Sequence, residues 1–130
     1  MKTSLQVLAL AALALLISLE GATASSLNGT WSGSGMVVPK DGQREKVSCR
    51  IRYSQQSSKI VAVNVRCTST SKQMRQAGHL RQVSPTQYVG QFSSAKHAVS
   101  GRVSVTVRGS VQTVTFDSSK GRASVILKKR

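Results

Sequence analysis

The stretch KVSCRIRYSQQSSKIVAVNVRC, residues 46–67, alternates apolar and polar side chains on both sides of a polar turn. Val47, Cys49, Ile51 and Tyr53 share one face of its first half, and Ser48, Arg50, Arg52 and Ser54 share the other. After the turn SQQSS, Val61, Val63, Val65 and Cys67 repeat the apolar row. Ala62, Asn64, Arg66 and Thr68 repeat the polar one. Successive side chains of a strand point to opposite faces, so each half reads as a strand with one buried side. Together they read as an antiparallel hairpin with its arginines outward and both cysteines facing one interior.

The same pattern runs through the rest of the chain, and no window shows a convincing helical period. Residues 30–38 begin with Trp31 and carry Gly33 and Gly35, which mark a bend or bulge in a strand. PKDG, residues 39–42, is a turn signal. Residues 73–83 form a weaker candidate strand. Residues 87–93 place Tyr88 and Phe92 on one face with Gly90 between them. Residues 99–109 turn Val99, Val103, Val105 and Val107 inward, and Arg102, Ser104, Thr106 and Arg108 outward. Residues 111–116 and 122–129 flank the turn DSSKG; Ala123, Val125 and Leu127 face in, while Arg122, Ser124 and Lys128 face out. Seven to eight short strands between turn signals give an all-β domain, either an antiparallel sandwich or a meander barrel.

The chain opens MKTSLQVLALAALALLISLEGATASS. A short basic start, an apolar run over residues 5–19 and the small residues Ala22-Thr23-Ala24 give the layout of a secretory signal peptide, residues 1–24. The apolar run is short for a membrane span, which needs about 20 residues. One basic domain, residues 25–130, is expected to remain, with no transmembrane span. Removing the leader takes Lys2 and Glu20 together, so the net charge of +15 is unchanged. Such a charge favours anionic partners. Cys49 and Cys67 are the only cysteines. In an exported chain an even pair reads as one disulfide. The alternatives are two buried thiols or half of a metal site, for which only His79 and His97 are at hand.

Little in the chain points to catalysis. The domain has three acids, Asp41, Glu45 and Asp117; Asp41 sits in a turn and Asp117 begins one. No serine lies in a nucleophile elbow, and GTWSGSG lacks the lysine and the helix of a phosphate loop. A non-enzymatic role without cofactor or metal is therefore expected.

The basic residues carry the functional weight. Arg50, Arg52 and Arg66 are expected to cluster on the outer face of the first hairpin. Arg102, Arg108, Arg122 and Lys128 are expected to share the outer face at the other end. Arginine's planar fork suits phosphate and carboxylate. The bland alternative is a solvated face that resists edge pairing. The five aromatics (Trp31, Tyr53, Tyr88, Phe92 and Phe116) fall mostly inward, so no stacking platform accompanies the arginines. That weighs against nucleic acid. An anionic envelope component or an acidic protein is the expected partner, with the protein in the periplasm or at the cell surface.

Several motifs carry a resemblance: GTWSGSGMVVPKDGQREKVSCRIRY, a second cysteine after a valine-rich strand, VSGRVSVTVRGSVQTVTF, and the closing ASVILKKR. With these the chain resembles a group of small exported proteins of rhizobia-like, partly host-associated alphaproteobacteria. Residues 69–94 depart most and look shortened. The resemblance implies an exported, disulfide-bearing β-protein without a catalytic residue. It also opens a second reading, a type IV secreted effector that contacts a host protein. Lys128, Lys129 and Arg130 would then be a basic secretion tail, on a chain end expected to fray. A third reading is an inhibitor of an exported protease.

Overall fold

The computed structural model describes residues 27–96 and 98–130. The leader expected over residues 1–24, and His97, lie outside the described residues. Eight strands follow in order: β1 (Gly29–Pro39), β2 (Glu45–Gln55), β3 (Ile60–Ser69), β4 (Gln73–Ser84), β5 (Gln87–Ser94), β6 (Val99–Arg108), β7 (Val111–Ser118) and β8 (Gly121–Lys129). Each pairs antiparallel with the next, and β8 returns to β1, so the sheet closes into one barrel. Of the two architectures open to the sequence, the barrel is the one formed. No helix long and apolar enough to cross a membrane occurs among the described residues.

The period-two rows become the two faces of the barrel wall. Val47, Cys49, Ile51 and Tyr53 of β2 are buried, and Arg50 and Arg52 between them are exposed. Val103, Val105 and Val107 of β6 repeat the arrangement, as do Val125 and Leu127 of β8. An apolar interior inside an arginine-bearing wall reverses the apolar-out pattern of membrane-spanning barrels. Cys49 and Cys67 stand directly opposite each other in the β2–β3 register and form the disulfide, with their Cα atoms 4.1 Å apart.

The weaker candidate strand over residues 73–83 is formed, as the 12-residue β4. Its signal was weak because inward positions such as Gln76 and Gly78 are not apolar. One expectation is corrected: the chain end is held down rather than frayed. The Arg130 N–H donates to the Thr30 carbonyl at 2.9 Å, and the Lys129 ammonium lies 5.6 Å from the centre of the Trp31 ring.

The two ends of the barrel differ. At the end where Leu27 and Arg130 lie, the Leu27 carbonyl accepts a 2.9 Å hydrogen bond from Trp31 Nε1. Leu27, Trp31, Val107 and Leu127 are fully buried there. Nearby, the Tyr53 hydroxyl donates to Gln112 Oε1 across the interior. Burial pushes the Tyr53 phenol well above its ordinary range. Gln112 Nε2 is buried without a hydrogen-bond partner. Tyr53→Phe alone orphans the Gln112 oxygen as well, and should cost about 1 kcal/mol. The double variant Tyr53→Phe/Gln112→Leu removes every unpaired polar atom of this pair. It should come out close to wild type, a non-additivity that a urea-denaturation cycle reads directly.

The opposite end is open. Its wall also has a seam: register pairs between β4 and β5 cover only Arg81–Ser84 and Gln87–Val89, with a register shift between Gln82 and Ser84. Nearer the mouth a side chain bridges the two strands, Gln76 Nε2 donating to the Ser93 carbonyl at 2.9 Å.

Candidate anion-binding face

Strand register carries five of the outward cations into a single row. Arg108 of β6 lies opposite Val111 of β7, and Val111 opposite Lys128 of β8. Lys128 faces Ser32 of β1, and Ser32 faces Arg50 of β2. Arg50 then faces Arg66 of β3, which faces Arg75 of β4. Neighbouring strands stand about 4.8 Å apart, so three arginines in register span roughly 10 Å. No acidic residue occupies the row. Arg130 joins it from the chain end, its Nη1 donating to Ser32 Oγ at 3.3 Å.

Arg52 sits one step along β2, opposite Asn64. With Arg50, Arg66 and Arg75 it borders a shallow outer concavity of about 450 Å³. The expected cluster of Arg50, Arg52 and Arg66 is therefore assembled, and Arg75 completes it. Arg75 was not singled out in the sequence because β4 was the weakest strand signal.

The second expected cluster is not one patch. Arg102 and Arg122 lie on either side of Asp117 in a row of their own. Arg122 Nε is 3.7 Å from Asp117 Oδ1, with both side chains well exposed, a pair worth little. Asp117 is thus a strand residue between two arginines rather than the start of a turn. Arg108 and Lys128 lie toward the opposite ends of their strands and belong to the Arg50 row. The split follows from strand length: Arg102 and Arg108 are six positions apart on β6, about 20 Å of extended chain.

The remaining polar groups are scattered. His79 is exposed on β4 opposite Ala62. Glu45 at the open end accepts hydrogen bonds from the Ser71 hydroxyl at 2.9 Å and from the Thr70 hydroxyl at 3.0 Å. These bonds hold its carboxyl below the ordinary range. Among the described residues no three His, Cys, Asp or Glu side chains group as metal ligands would.

No known protein family matches the chain, and no curated protein matches its sequence. Solved structures do. A redesigned β-barrel matches with a TM-score of 0.64 at 17% identity, covering 83% of this chain and 95% of that one. A second redesigned barrel, described as bound to DFHBI, matches with a TM-score of 0.64 at 14% identity, covering 80% of this chain and 94% of that one. A de novo designed fluorescence-activating β-barrel matches with a TM-score of 0.61 at 16% identity, covering 87% of this chain and all of the other. At these identities the likeness is one of fold.

Proposed function

We propose that this is an exported, non-enzymatic binding protein that holds an anionic partner along the arginine row of its outer wall. The observation that carries the reading is the run Arg50–Arg66–Arg75, three like charges directly opposite one another with no acid in the row. Like charges in direct cross-strand register are destabilising, by up to about 1 kcal/mol per pair. A phosphate, sulfate or carboxylate lying between neighbouring guanidiniums would relieve that repulsion and accept paired N–H donors. A row that turns around the wall from Arg108 to Arg75 favours an extended polyanion over a single small ion. An acidic envelope polymer or lipopolysaccharide is the partner class we assign. The disulfide supports an oxidising compartment, the periplasm or the cell surface.

The effector reading keeps the same face as a surface for an acidic host protein. Its tail argument is weakened by the contacts of Lys129 and Arg130, because a receptor reading these residues would first have to strip them from Trp31, Thr30 and Ser32.

The test is binding to immobilised lipopolysaccharide or heparin over a salt series. Retention should fall steeply as salt screens the row. The triple variant Arg50→Ser/Arg66→Ser/Arg75→Ser should elute at clearly lower salt, with its melting temperature unchanged or raised. Binding that persists at high salt, or that survives the triple substitution, would overturn the assignment.

A further inference from the structure

The open end of the barrel combines two features that the arginine row does not use. Each of the four turns around it carries a lysine: Lys40 between β1 and β2, Lys72 between β3 and β4, Lys96 between β5 and β6, and Lys120 between β7 and β8. Arg44 and Arg122 stand beside them. Beneath this ring the barrel opens into a cavity of about 270 Å³. Its wall is largely apolar, including Val37, Val47, Met74, Phe92 and Phe116, with the disulfide set into one side. Phe92 and Phe116 meet edge-to-face at 6.0 Å.

The same alternation that packs Leu27, Trp31, Tyr53 and Tyr88 into the closed end leaves this end hollow. Its inward positions include the small residues Gly35, Gly101 and Ala123. Farther in, Gly78 borders a second, smaller void of about 40 Å³, and a Cβ added there would meet nothing within 4 Å. An apolar surface left open to water is unfavourable in proportion to its area. An unfilled mouth is therefore a standing cost that an apolar occupant would remove.

We infer that the mouth binds an amphiphile with a single apolar tail and an anionic head, the tail in the cavity and the head among the rim lysines. Cavity volume limits the tail to a short or medium chain, at the small end of ligand pockets. Rim charge selects the head. Two of the three acids near the rim are already engaged, Glu45 with Thr70 and Ser71, and Asp117 with Arg122 on the outer wall. The remaining one, Asp41, stands in the same turn as Lys40 and Arg44. Cations thus outnumber acids at the rim. A tail without a charge would leave the ring idle, and a cationic head would be repelled by it. The inference is independent of the arginine row, which lies on the outer wall.

The test compares three ligands sharing one tail: decanoate, decanol and decyltrimethylammonium, titrated calorimetrically below their micelle concentrations. Decanoate should bind one per chain and about tenfold more tightly than decanol, the worth of one charge-assisted contact. Decyltrimethylammonium should not bind. Ala123→Phe, which fills the mouth, should abolish decanoate binding without lowering the melting temperature. Lys72→Glu/Lys120→Glu should erase the preference for decanoate over decanol. The Arg50→Ser/Arg66→Ser/Arg75→Ser variant should bind decanoate as wild type does. Equal affinity for decanoate and decanol would overturn the role of the rim. Binding that survives Ala123→Phe, or that disappears with the arginine triple, would overturn the site.

Discussion

Replacing Gly35 by valine is expected to prevent the barrel from closing. A Cβ at Gly35 would sit 1.8 Å from the Ser124 carbonyl oxygen, and one at Gly33 would sit 1.9 Å from that of Ile126. Both obstacles are backbone atoms of β8, and β1–β8 is the pairing that turns eight strands into a closed sheet. A flexible side chain in the way would swing aside. A strand backbone moves only by separating from its neighbour, which exposes two edges and the core between them. Ordinary overpacking costs about 1–3 kcal/mol, and a clash with a ladder backbone belongs at or above the upper end. Against a total stability of about 5–15 kcal/mol, the variant should be marginal or unfolded. Gly78→Ala is the matched control. Nothing lies within 4 Å of the added Cβ, and a strand glycine is unfavourable by about 0.5–1 kcal/mol, so this variant should equal or exceed wild type. A lowered urea midpoint for Gly35→Val beside an unchanged or raised one for Gly78→Ala would establish the close approach of β1 and β8. A Gly35→Val protein with the wild-type midpoint would show that β1 and β8 need not approach so closely.

Reduction of the disulfide should have the next largest effect. Cys49 and Cys67 are 18 residues apart, and opening a loop of that size costs about 3 kcal/mol through the greater freedom of the unfolded chain. For a domain of this size that corresponds to a fall in melting temperature on the order of 10 °C or more. Cys49→Ala/Cys67→Ala should show the same fall without reductant, plus a smaller loss from the packing of two buried sulfurs. Because the cysteines face each other on adjacent strands of a ladder that forms without them, the reduced protein should keep its β-sheet circular dichroism at low temperature. An unchanged melting curve in reductant, with both thiols titrating as free, would remove the cross-link from the stability account.

Much of this fold is legible in side-chain alternation, and what is not legible has identifiable causes. The inward rows of β2, β3, β6 and β8 follow from their period of two, because a one-sided wall leaves each residue a single choice of face. The cysteine pairing follows from two such rows on adjacent strands. Closure does not follow, because it depends on what Gly33 and Gly35 approach, and a sequence marks the bend without naming the strand that fills it. Arg75 is not legible because its strand turns Gln76 and Gly78 inward, where the wall has a seam and a void instead of core. The link from Lys128 to Arg50 passes through Ser32 across the closing pair, so a charge pattern read hairpin by hairpin breaks the row in two. The grouping of Arg102 with Arg108 failed for the converse reason. They share a face but stand at opposite ends of one strand, and Asp117 lies beside Arg102 and Arg122 alone.

The central claim is that the arrangement of the cations matters, and not their number alone. The most direct test compares two triple variants of equal charge in polyanion binding across a salt series. One removes row residues, Arg50→Ser/Arg66→Ser/Arg75→Ser. The other removes exposed cations off the row, Lys46→Ser/Lys59→Ser/Arg81→Ser. The account predicts that the first loses most of its affinity and flattens its salt dependence, while the second stays close to wild type. Equal losses in the two would contradict it and reduce the row to a share of the net charge of +15.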